Sequence, residues 1–395
     1  MSSIATELAQ WAFDFEPTQT DLELAERSLL DTIAVTIAAR NEPLIGITAE
    51  LSEAARWAVA GHLLDFDDLH MESTTHVSVV CVPAVLATGG EARAYLAAAG
   101  VMARLGRALG WSHYSSGWHA TCTAGAIAAA VGSGMGLNLD ARELAMAMAL
   151  AVPAAGGVQR AFGTDAKSLQ VGFAVDAGVR AARLVAAGAS ADISAVDSWF
   201  ELMGSKATKI DLAGPAIPGG LAVKVFPCCY ALQRPISTLA ELAKQGLDLA
   251  SIERIVLRTP EASVAPLIHH QPDTGLKAKF SIEYAAATAL LDTYQGFASF
   301  TDEGVARGEA RRLMELVDVE LVEGGDWLLA GELEVEVYVG GEMLRARSQF
   351  PPGSPQRPPT HEELLVKVRD CLDGTAVDPE SINWGTAREI LSRYF

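Results

Sequence analysis

The chain has 395 residues, half of them hydrophobic, and a net charge of -19; with a mean hydropathy of +0.22 it can bury one large core or two domains and is too apolar to stay disordered. An acidic surface repels nucleic acid and anionic lipid, whose binding draws on clustered Lys and Arg, so an acidic substrate has to be drawn by a few cations inside a pocket. Every apolar run is broken by Arg, Asp, Gly or His before it reaches the roughly 18 residues of a membrane span.

Met1-Ser-Ser-Ile-Ala-Thr-Glu-Leu8 has neither the charged flank nor the apolar core of a secretory signal, so the expected location is the cytoplasm. The pattern from Thr20 to Ala39 predicts an amphipathic helix that becomes apolar on all sides. Alanines, Trp57, Val59 and paired leucines recur at helical spacing from Ala54 to Leu64, which sets Asp65 on or just past the last turn of a buried helix. Residues 82 to 110 predict one or two further helices. After the Gly117-Trp-His119 turn, Thr121 to Val131 is nearly all Ala, Gly, Ile and Thr, suited to close helix approach in a buried layer. Asp140 caps a helix over Ala141 to Val152, and Asp165 stands near the start of a long one from Lys167 to Ala187.

Gly214-Pro-Ala-Ile-Pro-Gly-Gly220 reads as a domain boundary. Beyond it, Ile252 to Thr259, Val317 to Val322 and Leu333 to Val339 alternate with period two, and Gly340-Gly341 turns the last into Met343-Leu-Arg-Ala-Arg347. Helical patterns at Pro235 to Gln245, Ser281 to Thr293 and Asp302 to Leu316 lie between these strands. Gly353-Ser-Pro-Gln-Arg-Pro-Pro359 ends the sheet pattern, and two closing helices, His361 to Leu372 and Pro379 to Tyr394, are expected to return to the first domain. The expected fold is mainly α: a large all-helical domain (1–214, with 356–395) and a smaller α+β lid domain (215–355).

Residues 61 to 78 concentrate acid and imidazole in this apolar chain, with Asp65, Asp67, Asp68, Glu72, His62, His70 and His76. Held beside apolar neighbours, Asp65 can be tuned as base or acid; a solvated helix end is the competing reading. His119 precedes a buried helix, where the dipole lowers its pKa and leaves a neutral imidazole able to act as a base, or simply to cap. Lys167 falls in the first turn of a helix, an unfavourable end for a cation, so Asp165 or a bound carboxylate should compensate it. Lys224 alternates with Val223, Val225 and Phe226 on a strand-like run, and Tyr284 offers a phenolic proton at the start of a buried helix. His269-His270 reads as surface. The five cysteines, Cys81, Cys122, Cys228, Cys229 and Cys371, lack C-x-x-C spacing and are read as reduced thiols. Gly132-x-Gly134-x-Gly136 follows a helix instead of a strand and fails as a dinucleotide fingerprint. Asp65-Phe-Asp67-Asp68 lacks the Gly and closing Glu of a calcium loop. His76 with the aspartates is the remaining combination for a metal, and none is assigned.

Taken together, Gly61-His-Leu-Leu-Asp-Phe-Asp-Asp68, His76-Val-Ser78, Gly117-Trp-His119, Gly163-Thr-Asp-Ala-Lys167, Lys224-Val-Phe-Pro-Cys228, Phe280-Ser-Ile-Glu-Tyr284 and Gly353-Ser-Pro355 resemble the MmgE/PrpD family, which includes 2-methylcitrate dehydratase, cis-aconitate decarboxylase and iminodisuccinate epimerase. The resemblance runs over nearly the whole length. It implies an active site between a helical domain and a lid, a homodimer, no organic cofactor, and active-site residues Asp65, His76, His119, Lys167, Lys224 and Tyr284. Leu69 stands where relatives that process tricarboxylates often have Thr, Gln233 where His is usual, and the interval from Arg40 to Asp65 is shorter than typical. The implied activity is removal of the proton α to a carboxylate of a small di- or tricarboxylate, as a hydro-lyase or an epimerase. Asp65, His76, His119 and Tyr284 would move protons, and Lys167, Lys224 and Gln233 would bind substrate. A decarboxylating lyase and an inactive carboxylate-binding homologue are the alternatives.

Overall fold

Side-chain caps open the first helices in the computed structural model, which describes residues 3–205, 207, 209–325 and 331–395. Ser3 accepts from the Thr6 amide at the start of α1 (Ile4–Asp14). Thr18 and Asp21 form a capping box on α2 (Gln19–Ala38), satisfying donors that a helix start leaves orphaned. Short turns around α3 (Pro43–Ile47) cross the interval between Arg40 and α4 (Glu53–Leu63), whose N-cap is Ser52. There follow α5 (Ser78–Leu86), α6 (Ala92–Ser115), α7 (Ala120–Gly136), α8 (Ala141–Ala151), α9 (Ala166–Ala186) and α10 (Ala195–Leu202). Within α6, Gly110 takes a non-helical φ of 71° and kinks the helix.

Two units divide the chain: Met1–Ala222 with Cys371–Phe395, and Val223–Asp370. In the first, α7 is buried from Ala120 to Gly134. Each buried methyl there contributes only about 0.8 kcal/mol, so what the small residues supply is close approach. A Cβ on Gly178 of α9 would meet the Ala126 carbonyl oxygen of α7 at 2.6 Å, and one on Gly172 would meet the Ala55 carbonyl oxygen of α4 at 2.9 Å. Thus α9 is wedged against both α7 and α4, and its N-terminus is brought to the end of α4 and the start of α7.

The second unit contains α11 (Tyr230–Ala243), β1 (Ile252–Pro260), α12 (Glu261–Val264), α13 (Gly275–Ala278), α14 (Ile282–Leu291), α15 (Asp302–Ala306), α16 (Gly308–Glu315), β2 (Val317–Val322), β3 (Leu333–Val339), β4 (Glu342–Ser348) and α17 (His361–Cys371). Its four strands run in the order β2-β1-β3-β4. β1 is parallel to β2 and antiparallel to β3, and Gly340-Gly341, both at positive φ, close the β3–β4 hairpin. The inner face packs Leu257, Val335 and Val337 into the core of this unit. The whole is mainly α with a small α+β part.

Four expectations differ from the structure. The segment from Val223 to Cys229 forms no strand, because Gln233 Oε1 takes the Val225 and Phe226 amides and Gly353 takes the Val223 amide. Gly353 can do so only as glycine: its φ is +84° and a Cβ would lie 1.9 Å from the Val223 oxygen. The helix expected over Asp302 to Leu316 breaks into α15 and α16 at Arg307, whose backbone is extended and whose guanidinium donates to Asp292 at 3.1 Å. The last helix shrinks to a 3-10 turn at Pro379–Ser381 and α18 (Ala387–Ser392). Between them, Asn383 and Thr386 side chains bond to nearby backbone, which competes with helix formation. Finally, α17 up to Asp370 belongs to the second unit, where Asp370 accepts from the Phe297 amide at 3.0 Å.

Candidate active site

Helix α4 stops at Leu63, and Asp65 takes a φ of 55°, a left-handed conformation that Asp tolerates better than most residues because its short side chain can bond locally. The turn sorts the acidic run. Asp65 stays partly exposed, while Asp67 and Asp68 are buried, so the run is not a solvated helix end.

Asp68 serves the fold. Its Oδ1 accepts the Ser78 amide at 3.0 Å, and its Oδ2 accepts the Ser78 hydroxyl, anchoring the start of α5; Ser78 Oγ in turn meets the Tyr95 hydroxyl at 2.7 Å. Burial pushes the Asp68 carboxyl up to about 6, against those two bonds from Ser78. His70 is structural too, with Nε2 donating to the Pro218 carbonyl at 2.6 Å and Nδ1 on Ser73.

Asp67 sits between two imidazoles. His62 Nδ1 is hydrogen-bonded to Asp67 Oδ2 at 2.8 Å, and His76 Nδ1 stands 3.0 Å from the same oxygen. Burial alone would raise this carboxyl; His76 and then His62 more than offset it and hold it well below the usual carboxylate range. Burial also pushes His62 down to about 4, against the pull of Asp67, so it is neutral at pH 7. The donor atoms of His62, Asp67 and His76 lie within 4.8 Å of one another, the spacing of a metal-ligand set. The His62–Asp67 contact is nonetheless a hydrogen bond, which a proton on His62 Nδ1 satisfies, while His76 Nδ1 lies at ion-pair distance from the same oxygen without hydrogen-bond geometry.

His119 caps α7 from the far side of this cluster, its ring centroid 5.6 Å from that of His62. Phe162 packs against it in a T-shaped contact, the ring centroids 5.0 Å apart. Burial first, then the neighbouring His62, His76 and Lys167, hold its pKa well below the usual histidine value, so this imidazole is neutral. Its Nδ1 meets Gln170 Nε2 at 2.6 Å and Cys122 Sγ at 3.2 Å. Lys167 lies in the first turn of α9, 5.9 Å over Phe162, and its Nζ donates to Asp65 Oδ1 at 3.0 Å. The compensating anion is therefore Asp65, brought from the end of α4, rather than Asp165.

Asp65, His76, His119 and Lys167 are thus gathered in the first unit, joined by His62, Asp67, Gln170 and Cys122, which the sequence reading did not select as site residues. One signal was available: Lys167 and Gln170 are spaced i, i+3 and share a helix face. The other expected residues belong to the second unit. Lys224 is buried. Gln233, expected to bind substrate, is buried and uses both ends of its amide on the Val225–Phe226 backbone, with Nε2 donating to the Phe226 carbonyl at 2.8 Å; it shapes the segment that bears Lys224. Tyr284 is buried with its hydroxyl donating to the Ser299 carbonyl. His270 is exposed, 2.8 Å from Glu283, and all five cysteines are buried and outside any disulfide. Among the described residues no helix is long and apolar enough to cross a membrane.

A helical unit that gathers carboxylate, imidazole and ammonium groups, on a chain that also carries a smaller α+β unit, defines the class: a two-unit, mainly α protein. The chain belongs to the MmgE/PrpD family, since the model of the MmgE/PrpD N-terminal domain matches residues 51–199 and that of the C-terminal domain matches residues 226–383. Members of that family are generally lyases or isomerases. No match to the chain is found among curated proteins.

Proposed function

We propose that this protein removes the proton α to a carboxylate of a small di- or tricarboxylate, as a hydro-lyase or as an epimerase. The observation that carries the reading is the Asp65–Lys167 pair at 3.0 Å beside neutral His119 and His76, whose Nδ1 stands 3.0 Å from Asp67. In a chain of net charge -19, an ammonium group held in such a cluster is suited to receive a substrate carboxylate. Asp65 or His119 takes the α proton. His76 either protonates the departing β-hydroxyl or returns a proton to the opposite face, so both outcomes share one carbanion-like intermediate. Lys224 as a carboxylate-binding cation and Tyr284 as a proton donor are proposed on the family resemblance alone.

Incubation with candidate acids in D₂O, followed by proton NMR and ultraviolet absorbance, tests the reading. Deuterium at Cα without loss of water indicates an epimerase, and a new conjugated double bond indicates a hydro-lyase. Lys167→Ala and His119→Ala should each lower the rate about a hundredfold or more, the usual scale for a lost acid or base. Near-normal rates in both variants would discard the assignment. Tight binding of an acid with no exchange would favour an inactive carboxylate-binding homologue, and release of carbon dioxide a decarboxylase.

A further inference from the structure

His119 is one of two residues to which the proposed reaction gives the α proton, and its surroundings decide between them. Gln170 Nε2 lies 2.6 Å from His119 Nδ1. The Gln170 amide has one permissible orientation, because Oε1 accepts the Val158 amide at 3.0 Å and Nε2 lies 3.3 Å from the Val158 carbonyl oxygen. Turning it over would set oxygen against oxygen and N–H against N–H. The amide therefore presents a hydrogen to His119 Nδ1, which has to accept it. A neutral imidazole that accepts at Nδ1 carries its proton on Nε2. Cys122 fits the same assignment: burial raises its thiol pKa, so Sγ keeps a hydrogen that it can also direct at Nδ1 from 3.2 Å.

His76 has the opposite polarity. Its Nδ1 faces the Asp67 carboxylate at 3.0 Å, where a lone pair would be repelled, so a proton sits on that nitrogen. His119 makes no hydrogen bond through Nε2 among the described residues, which leaves that N–H available to a ligand.

We propose that Gln170 is a positioning residue that locks His119 in its Nε2–H form, making His119 a neutral hydrogen-bond donor to the substrate and leaving removal of the α proton to Asp65. When the Cα–H bond breaks, the proton passes to that base and the electron pair delocalises onto the adjacent carboxylate. The His119 N–H stabilises the oxygen on which the charge gathers, without itself being lost, the role a neutral histidine at a helix N-terminus can fill. The donor role rests on the reaction class proposed above; the position of the proton on His119 does not.

Long-range proton–nitrogen correlation spectra of the full chain labelled with ¹⁵N-histidine, with His119→Gln to assign the resonances, test the inference near neutral pH. The expected result for His119 is a bare Nδ1 and a protonated Nε2. Gln170→Glu preserves the bond to the Val158 amide but replaces the donor by an acceptor. It should move the His119 proton to Nδ1, lower Cα exchange about a hundredfold and raise the pH at which His119 titrates. Gln170→Met, which adds no charge, should leave His119 as a mixture of the two forms. A protonated Nδ1 in the unaltered protein overturns the inference whatever the activity, and so does full exchange activity in a Gln170→Glu protein whose His119 proton has moved. An Nε2–H His119 in a protein that exchanges no acid supports the role of Gln170 and overturns the reaction class instead.

Discussion

Two buried titratable residues of the site region oppose each other in their effect on stability. Burial raises Asp68 to about 6 from 3.8 and lowers His62 to about 4 from 6.5. Between those values the folded protein holds a proton on Asp68 that the unfolded chain has released, so this group's contribution falls as pH rises. In the same window the unfolded chain protonates His62 and the folded one does not, so that contribution rises with pH. Asp68→Asn keeps an acceptor for the Ser78 amide and removes only the first effect. Its melting temperature should therefore drop more steeply than that of the unaltered protein when the pH is taken from 6 to 4; parallel curves would show that Asp68 does not titrate in this range. Asp65, His119 and Lys167 were legible in the sequence because each breaks a local rule: an acid at a helix end, an imidazole at a helix start, a cation in a first turn. The stretch holding His62 and Asp67 stood out for its acid and imidazole, but nothing in it told these two from Asp68 and His70, which serve the fold. Gln170 gave still less, because its significance lies in Val158 and His119, which only folding brings near.

At the scale of elements, the site depends on how closely α9 approaches α7, because α9 carries Lys167 and Gln170 while α7 begins at His119. Gly178 sets that approach: its absent side chain leaves room for Ala129 Cβ at 2.5 Å, the Ala126 oxygen at 2.6 Å and the Ala130 nitrogen at 2.6 Å. Two of these are backbone atoms and cannot swing aside. Gly178→Ala should thus cost about 1–3 kcal/mol, the usual range for overpacking, and reduce Cα exchange together with the melting temperature. The helical Gly46, with nothing within 4 Å of its would-be Cβ, is the control, and Gly46→Ala should be neutral or stabilising by up to about 1 kcal/mol. Equal melting temperatures for the two variants would contradict the packing argument. The small-residue composition of α7 announced a tight layer, but it did not say which partner fills it. Elsewhere local pattern misled. The alternation of Val223 to Phe226 looks like a strand, yet a strand needs a neighbour for its amides, and Gln233 and Gly353 had already taken them.

On the scale of the whole molecule, the Gly- and Pro-rich stretch at 214–220 marked a change of character that the division at Ala222 follows closely. The return at Cys371 carries no such mark, because the division falls inside the last turn of α17, which ends at Cys371. Net charge, by contrast, is read from the sequence with no need of the fold, and it makes a prediction about the proposed chemistry. A carboxylate substrate approaches a surface of charge -19 that repels it at long range, and meets the Lys167 ammonium only at short range. Salt screens the first interaction more than the second, since the screening length is about 10 Å at 0.1 M and about 30 Å at 0.01 M, while the Asp65–Lys167 contact is 3.0 Å and partly buried. Raising ionic strength from about 0.01 M to about 0.1 M should therefore lower KM for a dicarboxylate severalfold and leave kcat unchanged. The measurement is a set of initial rates in a salt that is not itself a carboxylate. A KM that rises with salt would mean that attraction at the site already dominates encounter and that the global charge has no part in substrate capture.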